Sequence, residues 1–347
     1  MKIEKKHFGF TNSGVEVHLF RLIHESGAYI ELTNYGATWV SAVVPDKNGN
    51  LSDVILGYDN LSGYLSDTAY MGSTVGRFAN RIENARFTLN GRTYKLDSND
   101  GNNSNHGGFS GFNQKVFDCQ IEDNKVVFSL FSPDGDGGFP GNLKLNVSYS
   151  FSEDLTVTNH YSAESDQDTY LNLTNHAYFN LHGSGNIFNH SLYIPSMEML
   201  VTDEFFIPTG EFTNVDNTPF DFSKPKLIGR DIFENNPQLI NNKGYNHCYV
   251  LDNPHSECKH AAVLTEPKTG RQLDVFTTKP ALLIYSAGFL DSVAVGKTGY
   301  NYFPYAGFCL ETQFFPDSPN QPNFPDCVLR KGEIYEHRTE YRFSVRS

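Results

Sequence analysis

The chain contains no apolar run near the roughly 20 residues that cross a bilayer as a helix. Its first ten residues, MKIEKKHFGF, are charged where a secretory leader is apolar. Positive charge is scarce: 27 Lys and Arg stand against 40 Asp and Glu, a net charge of −13. A cationic footprint that neutralises phosphates is therefore missing, so neither nucleic acid nor an anionic membrane surface is an expected partner. Cysteines are few and scattered (Cys119, Cys248, Cys258, Cys309, Cys327), with no Cys-x-x-Cys pair. That usage predicts reduced thiols and a cytoplasmic location.

What is present suffices for a large core: 347 residues, 39% hydrophobic and 14% aromatic. The dominant period is two. Leu143, Leu145, Val147, Tyr149 and Phe151 alternate with polar residues. After Ser152-Glu153-Asp154 the alternation resumes at Leu155, Val157, Asn159 and Tyr161. This predicts a hairpin with one wet face. Residues 87–89, 126–131, 273–276 and 282–285 read as further short strands, and Asn90-Gly91, Asp134-Gly135, Pro140-Gly141 and Lys331-Gly332 as turns. Only residues 61–65 and 230–234 suggest helix. With no repeat and no flexible linker, the expectation is an all-β fold, one large antiparallel β-sandwich over residues 1–347 as a single domain.

Several familiar motifs are absent. Val295-Gly296-Lys297-Thr298 ends like a phosphate loop, but Asp291 stands where its first glycine is needed and no helix follows. Asp134-Gly135-Asp136 opens like a calcium loop, but Phe139 and Leu145 replace the required Gly and Glu. No His-x-x-x-His or similar spacing suggests zinc, and no Gly-x-Ser-x-Gly marks a serine hydrolase.

Three clusters remain. Residues 75–82 place Arg77, Asn80 and Arg81 in a small, apolar stretch. They form either a polar cluster for a ligand or a surface whose arginines pair with acids. Asn105-His106-Gly107-Gly108 sets an imidazole beside two residues without Cβ, where backbone or ligand can approach closely. In 173–181, strand parity puts His176, Tyr178 and Asn180 on one face and Ala177, Phe179 and Leu181 on the other. Phe315 and Tyr305 are aromatics for either a cleft wall or the core.

These segments, in this order, resemble the galactose mutarotase (aldose 1-epimerase) family. The resemblance rests on Gly76-Arg77-Phe78-Ala79-Asn80-Arg81-Ile82, His106-Gly107-Gly108, Asp134-Gly135-Asp136-Gly137-Gly138-Phe139-Pro140-Gly141, Asn175-His176-Ala177-Tyr178-Phe179-Asn180-Leu181, Gly244-Tyr245-Asn246-His247, and Leu310-Glu311 running into Pro316-Asp317-Ser318-Pro319-Asn320. It implies a β-supersandwich with an open sugar cleft. It also implies cofactor-free and metal-free interconversion of the α and β anomers of free monosaccharides such as galactose or glucose. Glu311 matches the family's base and His176 its acid; Asn80, Arg81, His106, Tyr178 and Asn246 match substrate-binding segments. A monomer or weak homodimer is expected. Reference values near 4.3 for Glu and 6.5 for His allow a carboxylate and an imidazolium together near pH 6 to 7, and a neighbouring carboxylate is expected to raise the histidine further.

Two positions depart from the family. Asn246 stands where an aspartate is usual, and Leu283 where a glutamine commonly precedes the aromatic pair. The ring-opening pair is thus retained while two sugar-orienting positions differ, which predicts an altered or relaxed sugar preference. The alternatives are a sugar-binding or sensing protein with little turnover, an epimerase for a different aldose or a hexose phosphate, and a glycosidase. The last needs a second carboxylate that the sequence does not single out.

Overall fold

The computed structural model describes residues 1–251, 258–291 and 293–346. Strands dominate, in antiparallel sheets of nine, six and five strands with smaller two-stranded pieces. The expected wet-faced hairpin lies inside the nine-stranded sheet: Leu143–Phe151 pairs with Thr156–Ser165 in the register Leu145 opposite Ala163 and Val147 opposite Tyr161. Residues 143–151 alternate between buried and more exposed positions, as the period-two pattern demands. The other expected strands form as Arg86–Leu89, Lys125–Ser132, Arg271–Thr277 and Ala281–Tyr285. At the Asn90-Gly91 turn both residues take positive φ, 51° and 76°, the conformation that closes a two-residue hairpin without splaying its strands.

The three large sheets meet at the single tryptophan. Trp39, on the strand Thr38–Pro45 of the five-stranded sheet, is fully buried. Its ring packs edge-on against Phe179 of the six-stranded sheet and Tyr341 of the nine-stranded sheet, with centroids 5.7 and 5.2 Å away. Cutting so large a buried ring back to alanine typically costs about 3–5 kcal/mol.

Residues 61–65 form the expected helix, Leu61–Leu65, started by Asn60, whose side chain accepts from the Gly63 N–H. The second expected helix does not form at 230–234. A short 3-10 turn ends at Arg230, and the α-helix runs instead over Pro237–Asn241. Asn236 caps it by accepting from the Gln238 N–H, and Pro237 occupies its first turn. A capping Asn followed by Pro is the physical start signal, and it outweighs the alternating apolar residues upstream.

The six-stranded sheet builds the site. Its order is Tyr178–Phe179, Phe308–Gln313, Ala281–Tyr285, Asn246–Val250, Glu198–Thr202, Pro208–Asn214. Pairing sets Tyr178 opposite Cys309, Glu311 opposite Leu283, Leu283 opposite Cys248, and Tyr285 opposite Asn246. Opposed residues share a face, and so do residues two apart. One face therefore carries Tyr178, Cys309, Glu311, Leu283, Tyr285 and Asn246. The other sends Phe179, Phe308, Leu310, Ile284 and Leu282 into the main apolar core.

Candidate active site

The first face floors a cavity of about 370 Å³. Asn80, Arg81, His106, His176, Tyr178, Asn246 and Glu311, all the site residues expected from the sequence, line it together. Tyr70, Asp100, Phe206 and Phe289 also line it, without any separate signal in the chain. They arrive singly on different loops, so no local pattern could announce them.

Glu311 and His176 are almost completely buried, 1% and 5% exposed. Glu311 Oε1 lies 3.6 Å from His176 Nε2, while Oε2 is buried without a hydrogen-bond partner. The histidine is held through its backbone: its N–H donates to the Ser73 carbonyl at 3.0 Å and its carbonyl accepts from the Gly72 N–H at 2.9 Å. Tyr178 and Tyr70 lie nearly parallel to its ring, with centroids 5.0 and 6.0 Å away. Asn175 fixes the same turn by donating to the Gly72 carbonyl at 2.6 Å.

Burial sets the charge states of the pair, opposite to the expectation from reference values. Removal from water pushes the Glu311 carboxyl up to about 8 and the His176 imidazole down to about 4. The pair is thus neutral, with its proton on the carboxyl, and the neighbouring carboxyl does not raise the histidine.

The expected polar platform of His176, Tyr178 and Asn180 is also corrected. Residues 176 and 177 interrupt the strands and the short strand ends at Phe179, so parity is lost beyond it. Asn180 turns away from the cleft and donates to the carbonyls of Ala306 and Gly185. The Tyr178 hydroxyl donates to the Ala69 carbonyl at 3.0 Å, so this residue's ring stacks on His176 while its hydroxyl is anchored.

The two arginines of residues 75–82 divide the two readings. Arg77 is buried and donates to the carbonyls of Ser132, Pro133 and Pro140, tying its segment to the 132–141 turn. Arg81 reaches the cavity, where Nε donates to Asp100 at 2.7 Å and the guanidinium lies 4.8 Å from the Phe206 ring centroid. Asp317 holds this strand in place, its N–H donating to the Arg81 carbonyl at 2.8 Å and Oδ1 accepting from the Glu83 N–H at 2.9 Å. His106 accepts at Nδ1 from the Asn80 N–H at 3.1 Å, which leaves its proton on Nε2. Gly107 is required here, though for a different neighbour: a Cβ would sit 1.9 Å from the Gly76 carbonyl oxygen. The glycine admits backbone rather than ligand.

Other sequence readings resolve as packing. Phe315 packs with Phe212 and Phe324, and Tyr305 with Phe188 and Phe233. Lys297 of the phosphate-loop look-alike is pinned to Asp53 at 2.7 Å. All five cysteines are free thiols. No helix among the described residues is long and apolar enough to cross a membrane. Among the same residues His176, Cys309 and Glu311 could offer a metal three donor atoms within 4.8 Å of one another. Burial among apolar neighbours drives the Cys309 thiol well above its ordinary range, however, and so opposes the thiolate that a metal needs.

The family model described as aldose 1-epimerase matches residues 18–342. Galactose mutarotase of Bos taurus is 42% identical over 91% of both chains. Aldose 1-epimerase of Escherichia coli K12 is 38% identical over 95% of this chain and 96% of its own. Among solved structures, a GalM/aldose epimerase homologue from C. elegans superposes with a TM-score of 0.88 at 30% identity, covering 94% of this chain and 98% of that one. A galactose 1-epimerase from Lactobacillus acidophilus gives a TM-score of 0.87 at 26% identity, covering 100% and 99%.

Proposed function

This chain belongs to the aldose 1-epimerase family, and from that premise we propose that Glu311 and His176 open and reclose the ring of a free aldose such as galactose or glucose. The observation that carries this is the orphaned Glu311 Oε2, buried on a residue that lines the cavity, with His176 Nε2 3.6 Å from the other carboxylate oxygen.

The chemistry follows from a shared proton. An anomeric hydroxyl donating to Oε2 supplies the missing hydrogen bond and favours the carboxylate. The proton held by the pair then passes from Oε1 to Nε2. Glu311 removes the O1 proton while the His176 imidazolium protonates the ring oxygen, and the C1–O5 bond breaks to give the open aldehyde. Rotation about C1–C2 presents the other carbonyl face. Reversal of both transfers closes the opposite anomer and restores the starting protonation. Asn80, Arg81, His106, Tyr178 and Asn246 hold the sugar, with Arg81 and the His106 Nε2–H donating to hydroxyls.

Charge at the cavity favours a neutral sugar. Arg81 is its one Lys or Arg among the described residues, already paired to Asp100, and Asp100 and Asp291 outnumber it. A phosphate would meet net repulsion there. We further take the chain as a single β-sandwich unit in a reducing compartment, in keeping with its five free thiols.

The experiment is optical rotation of freshly dissolved α-glucose, α-galactose, α-xylose and arabinose, each with and without protein. Accelerated approach to equilibrium supports catalysis and ranks the sugars. Binding without acceleration assigns the cleft to a sugar sensor instead.

A further inference from the structure

The second nitrogen of the His176 ring has its own partner. Cys309 Sγ lies 3.6 Å from His176 Nδ1, within reach for a hydrogen bond to sulfur. Cys309 is fully buried, two residues before Glu311 on the same sheet face and directly opposite Tyr178. It does not line the sugar cavity. We propose that Cys309 is a positioning residue that sets the protonation pattern of His176 by pairing with Nδ1 throughout the catalytic cycle. This rests on the role for His176 proposed above.

The argument begins with what His176 must do. To take the proton from Glu311 and hand it to a ring oxygen, its neutral ring must keep Nε2, the atom facing Glu311, free of hydrogen. In the neutral ring only one nitrogen carries hydrogen, and the hydrogen bonds the ring makes decide which. An acceptor at Nδ1 selects the Nδ1–H form. The Cys309 sulfur is such an acceptor.

The imidazolium state keeps the same demand. Nδ1 still carries a proton and needs an acceptor, in a place that water does not reach. The sulfur, a weak acceptor as well as a weak donor, serves it unchanged. One side chain thereby satisfies Nδ1 in both states. A carboxylate there would trap the imidazolium, and an alkyl group would leave a buried ring nitrogen unpaired in each state. Burial also explains why a weak partner suffices, because no water competes for Nδ1. The groups facing the His176 ring are Glu311 at Nε2 and the rings of Tyr70, Tyr178, His106 and Tyr285. Among the described residues the Nδ1 hydrogen bond is to Cys309 and to none of these.

The test compares Cys309→Ser, Cys309→Ala and the parent protein by polarimetric kinetics and by ¹⁵N NMR of the histidine ring. Serine keeps a group that donates and accepts, whereas alanine keeps neither. The expected result is a kcat within about threefold of the parent for serine and roughly ten- to a hundredfold lower for alanine, with KM little changed in both. In the parent and the serine variant the His176 nitrogens should show one fixed neutral form with hydrogen on Nδ1; in the alanine variant they should move towards averaged values. An alanine variant with parent kcat overturns the proposal. So does one that loses kcat while its ring nitrogens stay as in the parent, since that loss would be merely structural. The NMR signature is read without sugar, so the pairing fails or stands separately from the proposed epimerase chemistry.

Discussion

Nε2 of His176 stands 3.6 Å from Oε1 of Glu311, and the two groups share a single titrating proton over a wide pH range. With the carboxyl raised to about 8 and the imidazole lowered to about 4 by burial, that one-proton state spans the interval between. Below it both groups are protonated and no base remains; above it neither is, and no acid remains. The expected profile of kcat/KM is a plateau from about pH 5 to 7 with limbs near 4 and 8, values that belong to the pair rather than to either residue. Rates measured across pH 3.5–9.5 check this, and a single limb near pH 6.5 would contradict it.

The same burial makes stability depend on pH. Glu311 is raised in the folded state, so its contribution is fully present below about 4.5 and is lost as pH rises through about 8. Glutamine at 311 cannot ionise. Thermal melts should therefore show Glu311→Gln gaining on the parent protein between pH 5 and 9, and a constant difference across that range would refute the buried, proton-bearing carboxyl. His176 acts at the other end. Its lowered value means stability present above about 6.5 and lost as pH falls through about 4.

Sugar preference should follow the two departures on the cleft floor. Leu283 lies directly opposite Glu311, and Asn246 lines the same cavity. Asn246→Asp restores a charged acceptor, and hydrogen bonds to charged groups are worth about 1.5–3 kcal/mol. This variant, and Leu283→Gln with it, is expected to raise kcat/KM for galactose roughly tenfold while changing other aldoses less. Equal galactose efficiency in the parent and in both variants removes these positions as the cause of any altered preference.

Arg77 should matter to folding rather than to chemistry. Its guanidinium satisfies three buried or half-buried carbonyls on the 132–141 turn. Each carbonyl left unpaired costs about 1–3 kcal/mol. Arg77→Ala is expected to lose at least about 3 kcal/mol in chemical denaturation, whereas Arg81→Ala should keep its stability and raise KM. Equal stability losses in both variants would contradict this division.

Much of this architecture is legible in the chain where physical period and chemistry coincide. Strand alternation at residues 143–161 and the ordered motifs around His176 and Glu311 predict the sheet and the central pair. Parity fails at Asn180 because it assumes an unbroken strand. The N-terminal strand Lys2–Phe10 escapes notice because its largely exposed, charged residues give no apolar alternation. Cys309 and Tyr70 are single residues whose roles come only from the neighbours that the fold supplies. Charge state is the least legible property, since the sequence offers reference values and burial reverses them.

The most direct measurement is the rate of α-galactose mutarotation, followed by optical rotation, for the parent protein and Glu311→Gln under identical conditions. The account requires a fall of roughly 10²- to 10⁴-fold with an unchanged circular dichroism spectrum. A glutamine variant that is folded and turns over at the parent rate would show that the proton leaves the sugar by another route.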